Sequence, residues 1–245
     1  MDRKNYLCVV GIGPGSKADM TFRAFEALEA ADLIVGYQTY VNLVKTIFPD
    51  KEFYSTGMRG ELDRCREAID LALSGRRVAV VSSGDAGVFG MATLLLELAQ
   101  NEDNLEIEVI PGVTAATSGA ALLGAPLAHD FACISLSNQL TPWDLIEQRL
   151  KAVSEADLCL ALYNPASKER PDSLKLAAEI MLMFKRPDTV CAYTRQIGRE
   201  GQEVGYLTLG ELADFPADMQ TTVFVGNTET KMLRGRMVTP RGYKV

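Results

Sequence analysis

The sequence predicts an α/β fold of two domains, each with a largely parallel sheet, and a ligand cleft between them. Three observations point there. Short β-rich apolar runs alternate with helix-periodic segments almost throughout the 245 residues. Four of those runs pass into glycine- or proline-bearing loops, at 11–16, 82–92, 109–114 and 161–173. Apolar residues make up 47% of the chain, enough to bury a sizeable core, and the length suits one large or two modest domains.

Taken in order, Tyr6 to Val10 is the first apolar run and reads as a buried strand. It enters GIGPGS (11–16), where Ser16 and Asp19 look like a helix cap, so a helix is expected over 17–30. A strand follows near 32–36. Leu62, Cys65, Ile69 and Leu73 keep helical spacing until Gly75 ends the pattern, and RVAVVS (77–82) is again a strand. Helices are expected near 90–100, 115–123, 143–152 and 173–185, with strands near 105–110, 131–136, 157–163, 189–194 and 221–226. The stretch VIPGVTAATSGAALLGAPL (109–127) differs, because its residues are mostly small and allow a helix or a ligand to approach the backbone closely. It predicts a junction dividing domain 1–114 from domain 115–245.

Charge and composition narrow the functions. A net charge of -7 works against nonspecific nucleic-acid binding, which needs a basic field. The sequence has no apolar run of about 18 residues and no basic-then-apolar leader, so a soluble cytoplasmic protein with no membrane partner is expected. His129 is the single histidine, which rules out a multi-histidine metal centre within one chain. The five cysteines are scattered without a CxxC pair and read as buried free thiols. No metal site is expected.

The strand-end loops carry the chemistry. In GIGPGS, Gly11 and Gly13 are followed by Ser16 where a dinucleotide fingerprint needs its third glycine, and Pro14 removes a backbone donor. The acidic residue expected about twenty positions on is also missing, since LIV (33–35) ends in Gly36 and Tyr37. A nicotinamide-dependent oxidoreductase is therefore disfavoured. Asp85 in SSGDAGVFGMA either caps the next helix or accepts hydrogen bonds from a ligand. Thr114 has the same two readings, and Asn164 with Pro165 leaves a strand ahead of Lys168 and Arg170.

In order, GIGPGS, SSGDAGVFGMA, PGVTAA and LYNP resemble the signature segments of the tetrapyrrole methylases, and the resemblance covers nearly the whole chain. GAPLAHDF (124–131), SLSNQLTPW (135–143) and TPRGY (239–243) resemble the branch of that family that methylates carbon 17 of a cobalamin precursor with ring contraction; they argue against its diphthamide-pathway branch. The resemblance implies S-adenosylmethionine as methyl donor, S-adenosylhomocysteine as product, a small-molecule tetrapyrrole substrate and a homodimer. It implies cofactor contacts at Pro14, Ser83, Gly84, Asp85, Val88, Thr114, Ala115, Asn164 and, more loosely, Gln196. Relatives often carry methionine where Asn164 stands, so a backbone contact is the part that carries over. A noncatalytic tetrapyrrole carrier is a rival reading, which binding of S-adenosylhomocysteine would separate.

Methyl transfer to an electron-rich carbon needs alignment more than a strong base, which suits a sequence showing no catalytic triad. Ring contraction must also move protons, and His129 is the one side chain whose ordinary titration range suits that, so it is the candidate acid or base. A polycarboxylate substrate on an acidic protein needs local cations. Arg59, Lys168, Arg170, Arg195 and Arg199, all in expected loops, are the candidate substrate anchors.

Overall fold

In the computed structural model, which describes residues 5–57 and 60–244, the chain divides into two compact units, Met1–Thr114 and Ala115–Val245. The first holds strands β1 (Asn5–Gly11), β2 (Leu33–Tyr37), β3 (Glu52–Thr56), β4 (Val78–Ser82) and β5 (Leu105–Ile110), with helices α1 (Phe22–Ala30), α2 (Gln38–Lys45), α3 (Glu61–Leu73) and α4 (Ala92–Leu98). All its strand pairings are parallel, in the order β3-β2-β4-β1-β5. Such a sheet is covered on both faces, and alternate residues divide accordingly. Leu7, Val9, Leu33, Val35, Val78 and Val80 pack against α3 and α4. Cys8, Val10, Ile34, Ala79 and Val81 pack against α1 and α2.

That order decides where the ligand loops meet. Right-handed crossovers put connections running one way along the sheet on one face and those running the other way on the opposite face. From β1 the chain travels past β4 to β2; from β4 it travels past β1 to β5. The loops leaving β1 and β4 therefore cross over each other at the carboxyl edge of the sheet.

The second unit holds α5 (Ala115–Leu123), β6 (Gly124–Ala125), β7 (Phe131–Ser135), α6 (Trp143–Glu155), β8 (Cys159–Tyr163), α7 (Ser173–Met181), β9 (Val190–Arg195), β10 (Glu203–Thr208), α8 (Leu209–Leu212), β11 (Thr221–Val225), β12 (Lys231–Leu233) and β13 (Arg236–Val238). Its main sheet runs β10-β9-β11-β8-β7. Ile134, Leu160, Leu162, Cys191, Val223 and Val225 face α6, α7 and α8. Ala161, Ala192 and Phe224 face α5 and Met237. The small residues of α5 have a packing reason: a Cβ on Gly119 would stand 2.7 Å from both the Phe224 ring and Thr194 Oγ1. The three-stranded sheet β12-β13-β6 pairs the strand directly after this helix with β13, which contributes Met237 to the same cluster.

The α/β class is as expected, but the second sheet is not largely parallel. Only β7 and β8 pair in parallel; β11 runs antiparallel to both β8 and β9, and β10 antiparallel to β9. The crossover from β8 through α7 does leave β9 running with β8. However, β11 then inserts between them, and a short turn joins β9 to β10. Hydrophobic runs encode burial and not direction. The helix expected from residue 17 begins at Phe22, capped by Thr21, whose Oγ1 accepts from the Ala24 N–H at 3.1 Å. Ser16 instead closes a turn, accepting from Asp19 N–H at 3.1 Å. Unforeseen elements include α2 and the edge strands β3 and β10, whose half-exposed residues give a weak periodic signal.

All five cysteines are unbridged, and Cys8, Cys65, Cys159 and Cys191 are buried while Cys133 is half-buried. Burial pushes the Cys8 and Cys191 thiols up to about 12 and Cys65 to about 11, so these are packing groups and not nucleophiles. Among the described residues no helix is long and apolar enough to cross a membrane.

Candidate active site

At the carboxyl edge of the first sheet the crossing loops are joined backbone to backbone. Gly13 N–H donates to Gly84 O at 3.0 Å, and Gly84 N–H returns to Gly13 O at 2.7 Å. Glycine is needed here for space: a Cβ on Gly112 would fall 2.1 Å from Gly84 O and 2.5 Å from Gly11 O. One carboxylate completes the joint. Asp85 Oδ1 accepts from Gly87 N–H at 2.8 Å and Oδ2 from Gly112 N–H at 2.9 Å, so it ties the loop after β4 to the loop after β5. Thr21 Oγ1 reaches the same loop, donating to Pro111 O at 3.3 Å. The amides of Gly13, Gly84 and Gly112 are thus spent on other loops and that of Gly87 on its own, so these four are not turned to a phosphate. A half-buried carboxylate with unused lone pairs remains.

Pro14, Ser83, Gly84, Asp85, Val88 and Thr114 all lie in these carboxyl-edge loops of the first unit. In the second unit Ala115 opens α5, whose Ala116 N–H donates to Tyr163 Oη at 2.7 Å, anchoring the start of that helix to the end of β8. Asn164 follows, turned into the left-handed region at φ 52°, with its Nδ2 donating to Ser135 Oγ at 2.9 Å. Gln196, also left-handed at φ 51°, follows β9 and donates its N–H to Gln220 O at 3.2 Å.

The expected anchors and the expected acid–base group are placed less uniformly. Arg59 lies outside the described residues. Lys168 is exposed on the rim of an open depression of about 530 Å³, with Ser167, Phe215, Met219 and Gln220. Arg199 is half-buried in the turn between β9 and β10. Arg195 is committed to Asp218 through an Nε–Oδ2 pair at 2.8 Å, and stands 3.7 Å from Glu203. Burial pushes the Asp218 carboxyl up, but the Arg195 guanidinium and the Thr221 hydroxyl outweigh it and hold it below the usual range. Arg170 is not a surface anchor at all. It is 9% exposed, and its Nη1 donates to Leu136 O at 2.9 Å and to Asn164 O at 3.3 Å. His129 precedes β7 and is exposed, its Nδ1 accepting from Asp130 N–H at 2.9 Å. The whole of β7, about 13 Å of extended chain, separates it from Ser135 and Asn164.

Sequence reasoning missed Gly112, Ser135 and Tyr163. The motifs PGVTAA and LYNP contain two of them, yet nothing local shows that Gly112 meets Gly84 or that the Tyr163 hydroxyl meets α5.

An open α/β sheet whose crossing loops gather small residues and one carboxylate at its carboxyl edge belongs to the class of α/β ligand-binding enzymes. The sequence profile of the Tetrapyrrole (Corrin/Porphyrin) Methylases matches residues 6–213, and the chain belongs to that family. It is 48% identical to the "Probable cobalt-factor III C(17)-methyltransferase" of Salmonella typhimurium, over 97% of this chain and 99% of that one. It is 39% identical to the Precorrin-3B C(17)-methyltransferase of a Sinorhizobium species, over 97% and 96% of the two chains. The crystal structure of the methyltransferase CobJ superposes with a TM-score of 0.90 at 38% identity, covering 96% of this chain and all of that one.

Proposed function

We propose that this protein is an S-adenosylmethionine-dependent methyltransferase that methylates carbon 17 of cobalt-factor III or precorrin-3B, with ring contraction. The observation that carries the reading is the joint at Asp85. The amides of Gly13, Gly84, Gly87 and Gly112 in the loops after β1, β4 and β5 bond within the chain, which works against a phosphate at those positions and leaves a carboxylate for a ligand's ammonium or hydroxyl groups. S-adenosylmethionine has no phosphate and has both of those groups. Relatives named for cobalt-factor III are 40–48% identical, against 39% for the precorrin-3B relative, and the cobalt-bearing substrate is the one to test first.

When bound, the donor supplies a methyl group on sulfonium sulfur, open to in-line displacement by a ring carbon. The chain's part is to hold the reactants in line and exclude water. In this reading Pro14, Ser83, Gly84, Asp85, Val88, Thr114, Ala115, Asn164 and Gln196 are each a proposed donor contact. Lys168 and Arg199 meet substrate carboxylates in this reading. In this reading the protein works in the cytoplasm as a homodimer, and light scattering on the purified protein would test the dimer.

Incubation with labelled S-adenosylmethionine and each precursor, with and without cobalt, tests the function by mass spectrometry of the pigment. A contracted pigment carrying one new labelled methyl is expected, with cobalt-factor III the better substrate. Labelled methyl at another carbon, or none, would overturn the assignment.

A further inference from the structure

Arg170 presents a physical problem that its neighbours solve. A guanidinium 9% exposed lacks much of its hydration, and burial lowers its basicity. Buried charges are ordinarily paired with an opposite one. Here the neighbouring Glu169 carboxylate acts on it electrostatically but burial outweighs it, and the hydrogen-bond acceptors are the carbonyls of Leu136 and Asn164 at 2.9 and 3.3 Å, with the Met219 sulfur 3.5 Å from Nη2. Nε is buried and, among the described residues, has no partner. The cation therefore sits among the ends of three segments: the residue after β7, the residue after β8 and the loop before β11. A further pair of backbone bonds between Ser167 and Arg170, at 3.2 and 3.0 Å, curls the loop back so that the guanidinium reaches them.

The element it grips is strained. Asn164 holds φ 52°, a region that asparagine tolerates and most side chains avoid. Such a conformation persists when its surroundings over-determine it. Asn164 is held at both ends, by its side chain on Ser135 and by its carbonyl on Arg170.

We infer that Arg170 is a positioning residue that acts through Asn164, holding the left-handed turn after β8 in the shape that receives the methyl donor. This rests on the assignment of Asn164 to the donor site. It also separates Arg170 from the substrate anchors: its charge is spent on backbone carbonyls within the chain.

A double-mutant cycle tests it, because glycine adopts the left-handed turn without being held. Binding of S-adenosylhomocysteine is measured by calorimetry in the wild type, Arg170→Lys, Asn164→Gly and the double variant. Arg170→Lys keeps the charge but loses the planar fork, and is expected to weaken binding about tenfold. In the Asn164→Gly background the same change is expected to cost less than about twofold. Equal losses in both backgrounds would overturn the inference, as would unchanged binding in Arg170→Lys accompanied by a raised KM for the tetrapyrrole. If Arg170→Lys fails to fold, Arg170→Met removes the buried charge with similar volume and carries the same comparison. A wild type that binds no S-adenosylhomocysteine would overturn the donor-site reading itself, and this inference with it.

Discussion

Asp85 has two readings in the sequence, and its hydrogen bonds in the structure add a third role. The sequence offers it as a cap or as a ligand contact. In the structure it accepts from Gly87 N–H in its own loop, as a local turn would require, and from Gly112 N–H, 27 positions away. Asparagine in its place would turn an NH₂ group toward one of those donors. Asp85→Asn should weaken S-adenosylhomocysteine binding by about 1–3 kcal/mol, measured by calorimetry on protein whose fold is checked by circular dichroism. Unaltered affinity would leave Asp85 a loop tie and nothing more. His129 leads to the opposite expectation. It stands at the amino end of β7, whereas Ser135 and Asn164 stand at carboxyl ends. His129→Asn should give contracted, methylated pigment at the wild-type rate in a single-turnover assay. Accumulation of methylated but uncontracted pigment would restore it as the proton carrier.

At the scale of elements, the amino edge of the second sheet is closed by a buried ion pair. Lys185, with its side chain 2% exposed, donates from Nζ to Asp157 Oδ1 at 2.9 Å and to Gly226 O at 3.2 Å. Asp157 also accepts from the Thr228 N–H and hydroxyl, so the turn after α6 is tied to the turn after β11. Burial pushes the Asp157 carboxyl up, but Lys185 and Thr228 outweigh it and hold it below its ordinary value. A carboxyl lowered in the folded state contributes stability that is complete above the unfolded value, near 4, and is lost as pH falls through the folded value. Asp157→Asn tolerates the φ of 54° found there but strands the lysine charge. It should cost about 2 kcal/mol at pH 7, less than the ~3–5 kcal/mol of a fully buried pair because Asp157 is 35% exposed. Urea titrations at pH 7 and pH 3 should show the gap between variant and wild type narrowing in acid. A gap that stays constant would mean the pair adds no pH-dependent stability.

At the scale of the whole molecule, a net charge of -7 repels a polycarboxylate at long range, so recognition must be local and sensitive to salt. Lys168 is exposed, whereas Arg170 and Arg195 have committed their charges to partners within the chain. Lys168→Gln should therefore raise the KM for the tetrapyrrole several-fold while S-adenosylhomocysteine binding is unchanged. The rise of KM with salt should also be shallower than in the wild type. Parallel salt curves for the two proteins would make Lys168 an ordinary surface charge.

By itself the sequence determined the α/β class, most of the buried strands, the family and the loops that carry the candidate site. Each of these is written in local order: apolar runs such as VAVVS, the helical spacing of Leu62 to Leu73, and the ordered segments GIGPGS, SSGDAGVFGMA, PGVTAA and LYNP. Only the tertiary structure decided that β11 runs against its neighbours, that Gly112 must lack a side chain because Gly84 O lies where its Cβ would be, and that Arg170 is buried while Lys168 is not. The physical reason is that periodicity records which face of an element is covered. Strand direction, close backbone approach and the burial of a long charged side chain depend instead on partners dozens of residues away, whose positions no local pattern contains.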